Sequence, residues 1–430
     1  MTTSLMRATT STTLLAHLIE TPDLVQTVHE LPPPAFSALV RHVGLEDAGE
    51  LVALATREQL VAAFDEDLFS NARPGEREEL DSARFVTWLT VLMEAGDDVA
   101  ANRIAELSQE FVVQALSSIM LVLDHDALME RMAEGGRDAA AADKAIESRL
   151  SEEIDGYLLI SRYDEGWDVA LALVLALDRD HRELLVRILD RCSDVASSYV
   201  DDLGELASVL SEAESIAEDV EADREERRSK QGYVEPRAAK SFLTLARGAF
   251  EGDARSVARD PVTKAYFRDL DPAAESPSVA TSPRTARVLR ALSEIAPTPR
   301  PLLLGEDFPL VAAVRALGHD DPRLLAERME ELGYLANVLI AGAKNGDGRF
   351  TPREAAEAVL ATVGLGAELE GDVGRAVRTC HLDVLFRRAS GALVRHGIAA
   401  DGLVRSRGDV KSLAERIRRG SPTSGARASS

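Results

Sequence analysis

Apolar positions recur at helical spacing along almost the whole chain, and few other patterns compete with them. Leu14, Leu15, Leu18 and Ile19 share one helix face. Phe36, Leu39, Val40 and Val43 share another, and Leu60, Val61 and Phe64 a third. The runs are short, about ten to fifteen residues, with tight connections between them. No alternating run of useful length predicts a strand.

Helix starts are marked by a capping residue followed by proline: Thr21-Pro22, Asp260-Pro261, Asp271-Pro272, Ser282-Pro283, Asp321-Pro322 and Thr351-Pro352. The first side chain accepts a hydrogen bond from an orphan amide. Proline then sits at the first helical position, where its missing N–H costs nothing. Thr56 with Gln59 and Thr351 with Glu354 have the spacing of capping boxes. The junctions Leu31–Phe36, Leu54–Leu60, Leu123–Leu128, Leu177–His181 and Leu317–Pro322 each end one helix and open the next. Their uneven spacing predicts an all-α fold, a short-helix array of degenerate α-solenoid type with a helical C-terminal part.

Punctuation in the sequence divides this array. Residues 1–13 read as a disordered N-terminus, 14–230 as a solenoid-like domain and 231–418 as a helical C-terminal domain, with a disordered tail at 419–430. Pro/Ser-rich linkers lie near 271–284 and 296–301. The acidic stretch from Leu203 carries Leu206, Val209, Ala213, Ile216 and Val220, which predicts an amphipathic helix packed on its own protein. The last basic residues, Arg405 to Arg419, read as a solvated terminal helix.

Hydrophobic residues make up 45% of the 430, enough for a substantial core, but aromatics are only 4%, so Leu, Val and Ala must do the packing. A net charge of −24 opposes nucleic-acid binding, which needs a basic footprint to displace counterions. The scarcity of lysine against arginine, Ala and Gly suits a bacterial genome rich in G and C. Cys192 and Cys380 form no CxxC pair and read as small buried hydrophobes in a reducing, cytoplasmic compartment. The longest apolar run, Val169–Leu177, would rise about 14 Å as a helix, roughly half a bilayer core, so no membrane span is expected.

Three stretches carry a family resemblance: Gln231-Gly232-Tyr233-Val234-Glu235-Pro236-Arg237-Ala238-Ala239-Lys240-Ser241-Phe242-Leu243, Glu331-Leu332-Gly333-Tyr334-Leu335-Ala336-Asn337-Val338-Leu339 and His381-Leu382-Asp383-Val384-Leu385-Phe386. Together they resemble an uncharacterised family of bacterial cytoplasmic proteins whose conserved domain has no assigned function. The resemblance covers most of the chain and implies no activity. Separately, the short Leu-rich helices of Leu14–Asp126 are similar to the helical cytosolic domain of bacterial magnesium transporters, whose membrane segment has no counterpart here.

Asn345-Gly346-Asp347-Gly348-Arg349-Phe350-Thr351-Pro352-Arg353-Glu354 has the layout of a degenerate calcium loop. Counted from Ala343, Asn345, Asp347 and Glu354 fall at ligand positions and Gly348 at the sharp turn, but Ala343 replaces the leading aspartate. Capping explains the same residues, since Thr351 and Glu354 open a helix. Asp124-His125-Asp126, Asp178–His181 and His319-Asp320-Asp321 could offer metal ligands, yet each reads as an N-terminal helix cap. His381 and Asp383, two apart, are expected on different helix faces and hence to chelate poorly. Trp88 and Trp167 read as core anchors.

No GxSxG elbow, Walker loop, HExxH or GxGxxG motif occurs, and Gly364-Leu365-Gly366 is too little for a nucleotide loop. The leading expectation is therefore a non-enzymatic cytoplasmic scaffold or adaptor, without a cofactor, binding another protein through helical surfaces. One alternative is a regulatory module sensing a divalent cation. Another is an enzyme whose site is assembled from distant residues.

Overall fold

The computed structural model describes residues 24–133, 149–197, 206–250, 254, 257–269, 308–346 and 348–420. The expected helix at Leu14–Ile19, the starts at Pro22, Pro272 and Pro283, both linkers, the N-terminal segment and residues 421–430 lie outside them. Nineteen helices and seven short strands occur among the described residues, so the architecture is dominantly all-α. The chain divides into two units, with the boundary between Arg224 and Glu225 and with residues 71–78 belonging to the second.

The first unit opens with α1 (Leu24–His29), α2 (Pro33–Val43), α3 (Gly49–Ala53) and α4 (Arg57–Asp67), followed by the two-residue strands β1 (Phe69–Ser70) and β2 (Glu79–Leu80). The expected capping box of Thr56 and Gln59 is present at α4. Gln59 also donates to the carbonyls of Val28 and Leu31 at 2.7 and 2.8 Å, so one buried amide ties the end of α1 to the start of α4. Next come α5 (Ser82–Ala95), α6 (Asp97–Ala105) and α7 (Gln109–Ile119). Trp88 is a core anchor as expected: its ring meets Phe64 edge-on at 5.0 Å and its Nε1 donates to Asp67 at 2.7 Å.

A three-stranded antiparallel sheet then interrupts the helices. Strand β3 (Met120–Asp124) is followed by α8 (His125–Ala133), β4 (Ser151–Ile154) and β5 (Tyr157–Ser161), in the order β3-β5-β4. This sheet departs from the expectation that no segment forms a strand. Met120–Asp124 is a short apolar run that periodicity cannot tell from a buried helix end. The hairpin has a stronger signal: Asp155 and Gly156 both have positive φ, 50° and 81°, which is the Asp-Gly signature of a tight two-residue hairpin. Helices α9 (Trp167–Asp180) and α10 (Arg182–Ser197) complete the core, with Trp167 buried in it. In α11 (Leu206–Ser229), Ile216 and Val220 are buried in the same core, while the side chains of Leu206, Val209 and Ala213 lie outside the described ones.

The second unit contains α12 (Pro236–Arg247), α13 (Pro261–Asp269), α14 (Pro309–Asp320) and α15 (Pro322–Gly342). Strands β6 (Lys344–Asn345) and β7 (Gly348–Arg349) precede α16 (Pro352–Leu369), α17 (Val373–Thr379), α18 (Leu382–Arg395) and α19 (Val410–Arg418). Helix α16 is apolar on most sides and is correspondingly buried from Ala355 to Ala367 except for Ala356 and Glu357. Its glycines are packing devices. A Cβ at Gly364 would strike the Phe308 ring, and one at Gly366 would overlap the Leu385 carbonyl on α18. The basic C-terminal segment forms α19, which buries Val410 and Ala414. No described helix is long and apolar enough to cross a membrane.

Candidate metal centre

In the second unit, charged side chains from three elements meet below the surface. Arg328 and Glu331 lie one turn apart on α15, pair at 2.9 Å, and are 3% and 0% exposed. Their placement follows from the helix ends they serve. Arg328 Nε donates to the Val377 carbonyl at 2.8 Å, near the end of α17, while Glu331 accepts the Leu382 amide at 3.0 Å, at the start of α18. A cation thus faces one helix's negative end and an anion the next helix's positive end.

His381 is the N-cap of α18, with extended φ of −71° and ψ of 143°. The expectation that His381 and Asp383 face apart fails at this point, because the helical rotation that would separate them has not begun at residue 381. His381 Nδ1 lies 2.8 Å from Glu331 Oε1. One ligand atom each from Glu331, His381 and Asp383 lies within 4.8 Å of the other two. The imidazole is about half exposed while both carboxylates are buried, so the cluster reaches the surface through His381.

The third contribution precedes α13. Arg259 donates to Glu331 Oε1 and stacks on Phe267, 4.1 Å from the ring centroid. Asp260 accepts the amides of Val262 and Thr263 at 3.0 and 3.1 Å and the Thr263 hydroxyl at 2.7 Å, capping α13 at the expected Asp-Pro start. Thr263 Oγ1 in turn lies 3.1 Å from the Tyr334 hydroxyl, whose pKa burial drives upward.

The two buried acids of the trio differ sharply. Burial by itself would raise the pKa of Glu331. Hydrogen bonds from His381 and the Leu382 amide, with the charges of Arg328 and Arg259, outweigh it and hold the carboxyl below its ordinary range. Asp383 is wholly buried, and among the described residues neither of its oxygens has a hydrogen-bond partner; Arg259 Nε lies 3.4 Å away. Burial, followed by the Glu331 charge, pushes its pKa up to about 6. Among the described residues, Glu331, Asp260 and Asp383 face two guanidiniums, Arg259 and Arg328.

The other sequence candidates are dispersed. Asp124 caps α8 through the Ala127 amide at 2.9 Å, and Asp321 caps α15 through the Leu324 amide at 3.0 Å, both as expected. Asp178 and Asp180 are not at a helix start: they end α9, where the dipole disfavours acids, and arginines Arg182 and Arg179 hold them at 3.2 and 2.7 Å. Glu354 caps α16 in the expected box with Thr351, whose amide and hydroxyl hold the Glu354 carboxyl below its ordinary range. Asn345 Oδ1 accepts from Arg405 at 3.3 Å, and Asp347 lies outside the described residues. Cys192 and Cys380 are buried and form no disulfide; burial pushes the Cys192 thiol up to about 12.

All three stretches that carry the family resemblance converge on this unit. Gly232 accepts the Tyr266 hydroxyl at 2.9 Å and Asn337 Nδ2 at 2.6 Å, while Phe242 touches both Tyr334 and Phe386. Arg259 and Arg328 escaped the sequence reading because nothing local distinguishes them from solvated arginines. The chain matches DUF6178, a family of unknown function, over residues 2–413, and belongs to that family. No curated protein and no solved structure matches it. The likeness to magnesium transporters has no support among these matches.

Proposed function

We propose that this member of the family is a non-enzymatic regulatory protein whose second unit binds a divalent transition-metal ion through Glu331, His381 and Asp383. One observation carries the reading: among the described residues the buried Asp383 carboxylate accepts no hydrogen bond and has only Arg259 Nε at 3.4 Å, beside two other ligand-bearing side chains. A buried carboxylate left so is costly and calls for a positive charge. A proton supplies it in the metal-free state, and a cation at the trio supplies it in the bound state. One imidazole nitrogen and two carboxylate oxygens suit zinc, manganese, iron or cobalt better than calcium, which takes oxygen ligands. Because Glu331 also closes α18 and partners Arg328 on α15, occupancy of the site bears on how these helices pack.

The partner in this proposal is another protein, bound through helical surfaces, and the compartment is the bacterial cytoplasm. Acidic composition and two isolated cysteines support the latter.

The test uses the full chain stripped with a chelator and titrated separately with zinc, manganese and cobalt, read by melting temperature. A ligand at one hundred times its Kd adds about 2.7 kcal/mol of stability, a shift of several degrees. The shift is expected in the native chain and absent in Asp383→Asn. Cobalt should also develop a visible absorption band. Unchanged melting with all three ions at millimolar concentration would sink the proposal.

A further inference from the structure

A separate cavity of about 530 Å³ opens in the second unit, bounded by Phe350, Arg353, Glu354, Glu357, Arg405 and Arg407, with Asn345 at its edge. Its volume is that of a small-molecule site. Among the described residues three guanidiniums and two carboxylates line it, and both carboxylates are engaged. Glu354 accepts the Thr351 amide and hydroxyl at 2.9 and 2.8 Å. Glu357 accepts Arg407 Nε at 2.8 Å and its amide at 3.3 Å. Arg405 reaches Asp401 at 2.6 Å and Asn345 Oδ1 at 3.3 Å. Exposed Arg353 has no hydrogen bond or ion pair among the described residues.

The 18-residue helix α16 begins at this cavity, so its positive end adds to the field there. Arg405 and Arg407 are already paired with Asp401 and Glu357, so among the described residues Arg353 is the guanidinium left to take a negative guest. We infer that the cavity binds a small organic anion, its carboxylate or phosphate group taken by the Arg353 guanidinium fork and its carbon part seated on the Phe350 side. Arginine matches such groups with two parallel N–H donors, and a helix start supports them. This inference is independent of the metal centre.

Calorimetry on the chelator-treated full chain tests it, with phenyl phosphate, inorganic phosphate and succinate as probes at constant ionic strength. Saturable binding of at least one probe is expected. Arg353→Gln should weaken it about tenfold, the equivalent of one lost charge-assisted contact. The melting temperature of that variant should not change, because Arg353 holds nothing else. Asp383→Asn should bind the same probe unchanged. No saturable heat from any of the three, binding indifferent to Arg353→Gln, or heat from calcium in place of the anions overturns the inference.

Discussion

Glu331 Oε1 lies 2.8 Å from His381 Nδ1, while Oε2 of the same carboxylate accepts the amide of Leu382. One side chain on α15 thus both orients the exposed imidazole and closes the helix that carries Asp383. The two acids of the centre therefore have opposite stability roles, which mutation can separate.

Glu331→Gln should destabilise the chain strongly. The carboxylate answers Arg259, Arg328, His381 and a helix amide, and removing its charge strands two guanidiniums, one almost wholly buried. Breaking such a pair costs about 3–5 kcal/mol. Urea denaturation measures this, and a loss under about 1 kcal/mol would mean that water already satisfies the arginines.

Asp383→Asn should act the other way, and only above acidic pH. In the metal-free protein the folded-state pKa is raised to about 6 from 3.8. Below the unfolded value both states hold the proton, and Asp383 contributes no penalty. As pH rises through 4 to 6, the unfolded chain releases the proton that the folded chain retains, so stability falls. Above 6 a penalty of about 3 kcal/mol persists. Asparagine has no charge to bury. The variant should match the native chain near pH 4 and exceed it by up to about 3 kcal/mol at pH 8. Denaturation curves at both values decide this.

Two helical glycines should respond to alanine with opposite signs. Gly333 in α15 has nothing within 4 Å of where a Cβ would stand, so Gly333→Ala should stabilise by about 1 kcal/mol through helix propensity. At Gly366 the same methyl would overlap backbone, the Leu385 carbonyl, which cannot swing aside. There the gain is overridden, and a loss of about 1–3 kcal/mol or more is expected. Paired urea titrations check the difference, and equal effects would contradict the close α16–α18 crossing.

At the β4–β5 hairpin the cost should come from conformation alone. Gly156 has φ of 81° and open space around it, so Gly156→Ala should lose about 1–2 kcal/mol with no clash. Thermal melting followed at Trp88 or Trp167 can register it, and an unchanged melt would show that the turn is not of this type.

Much of the helical architecture was legible in advance because its causes are local. Thr56, Asp260, Asp321 and Thr351 cap helices where their spacing predicted, since a cap needs only a side-chain acceptor and the next few amides. The β4–β5 hairpin runs against the expectation of no strands, although Asp155-Gly156 is a local signal for it, and the apolar run Met120–Leu123 looks the same at the end of a helix as in a strand. The two-residue spacing of His381 and Asp383 does not show their convergence, because N-cap geometry at residue 381 changes which side chains meet.

By itself, then, the sequence determined the helix starts at Thr56, Asp260, Asp321 and Thr351 and that Leu, Val and Ala supply most of the cores; these depend on neighbours a turn or two away. Tertiary structure alone decided that Glu331 is held by hydrogen bonds and two arginines while Asp383, among the described residues, accepts no hydrogen bond. The protonation and partners of a buried acid depend on charges brought from α13, α15 and α18, and sequence distance carries no record of that electrostatic neighbourhood.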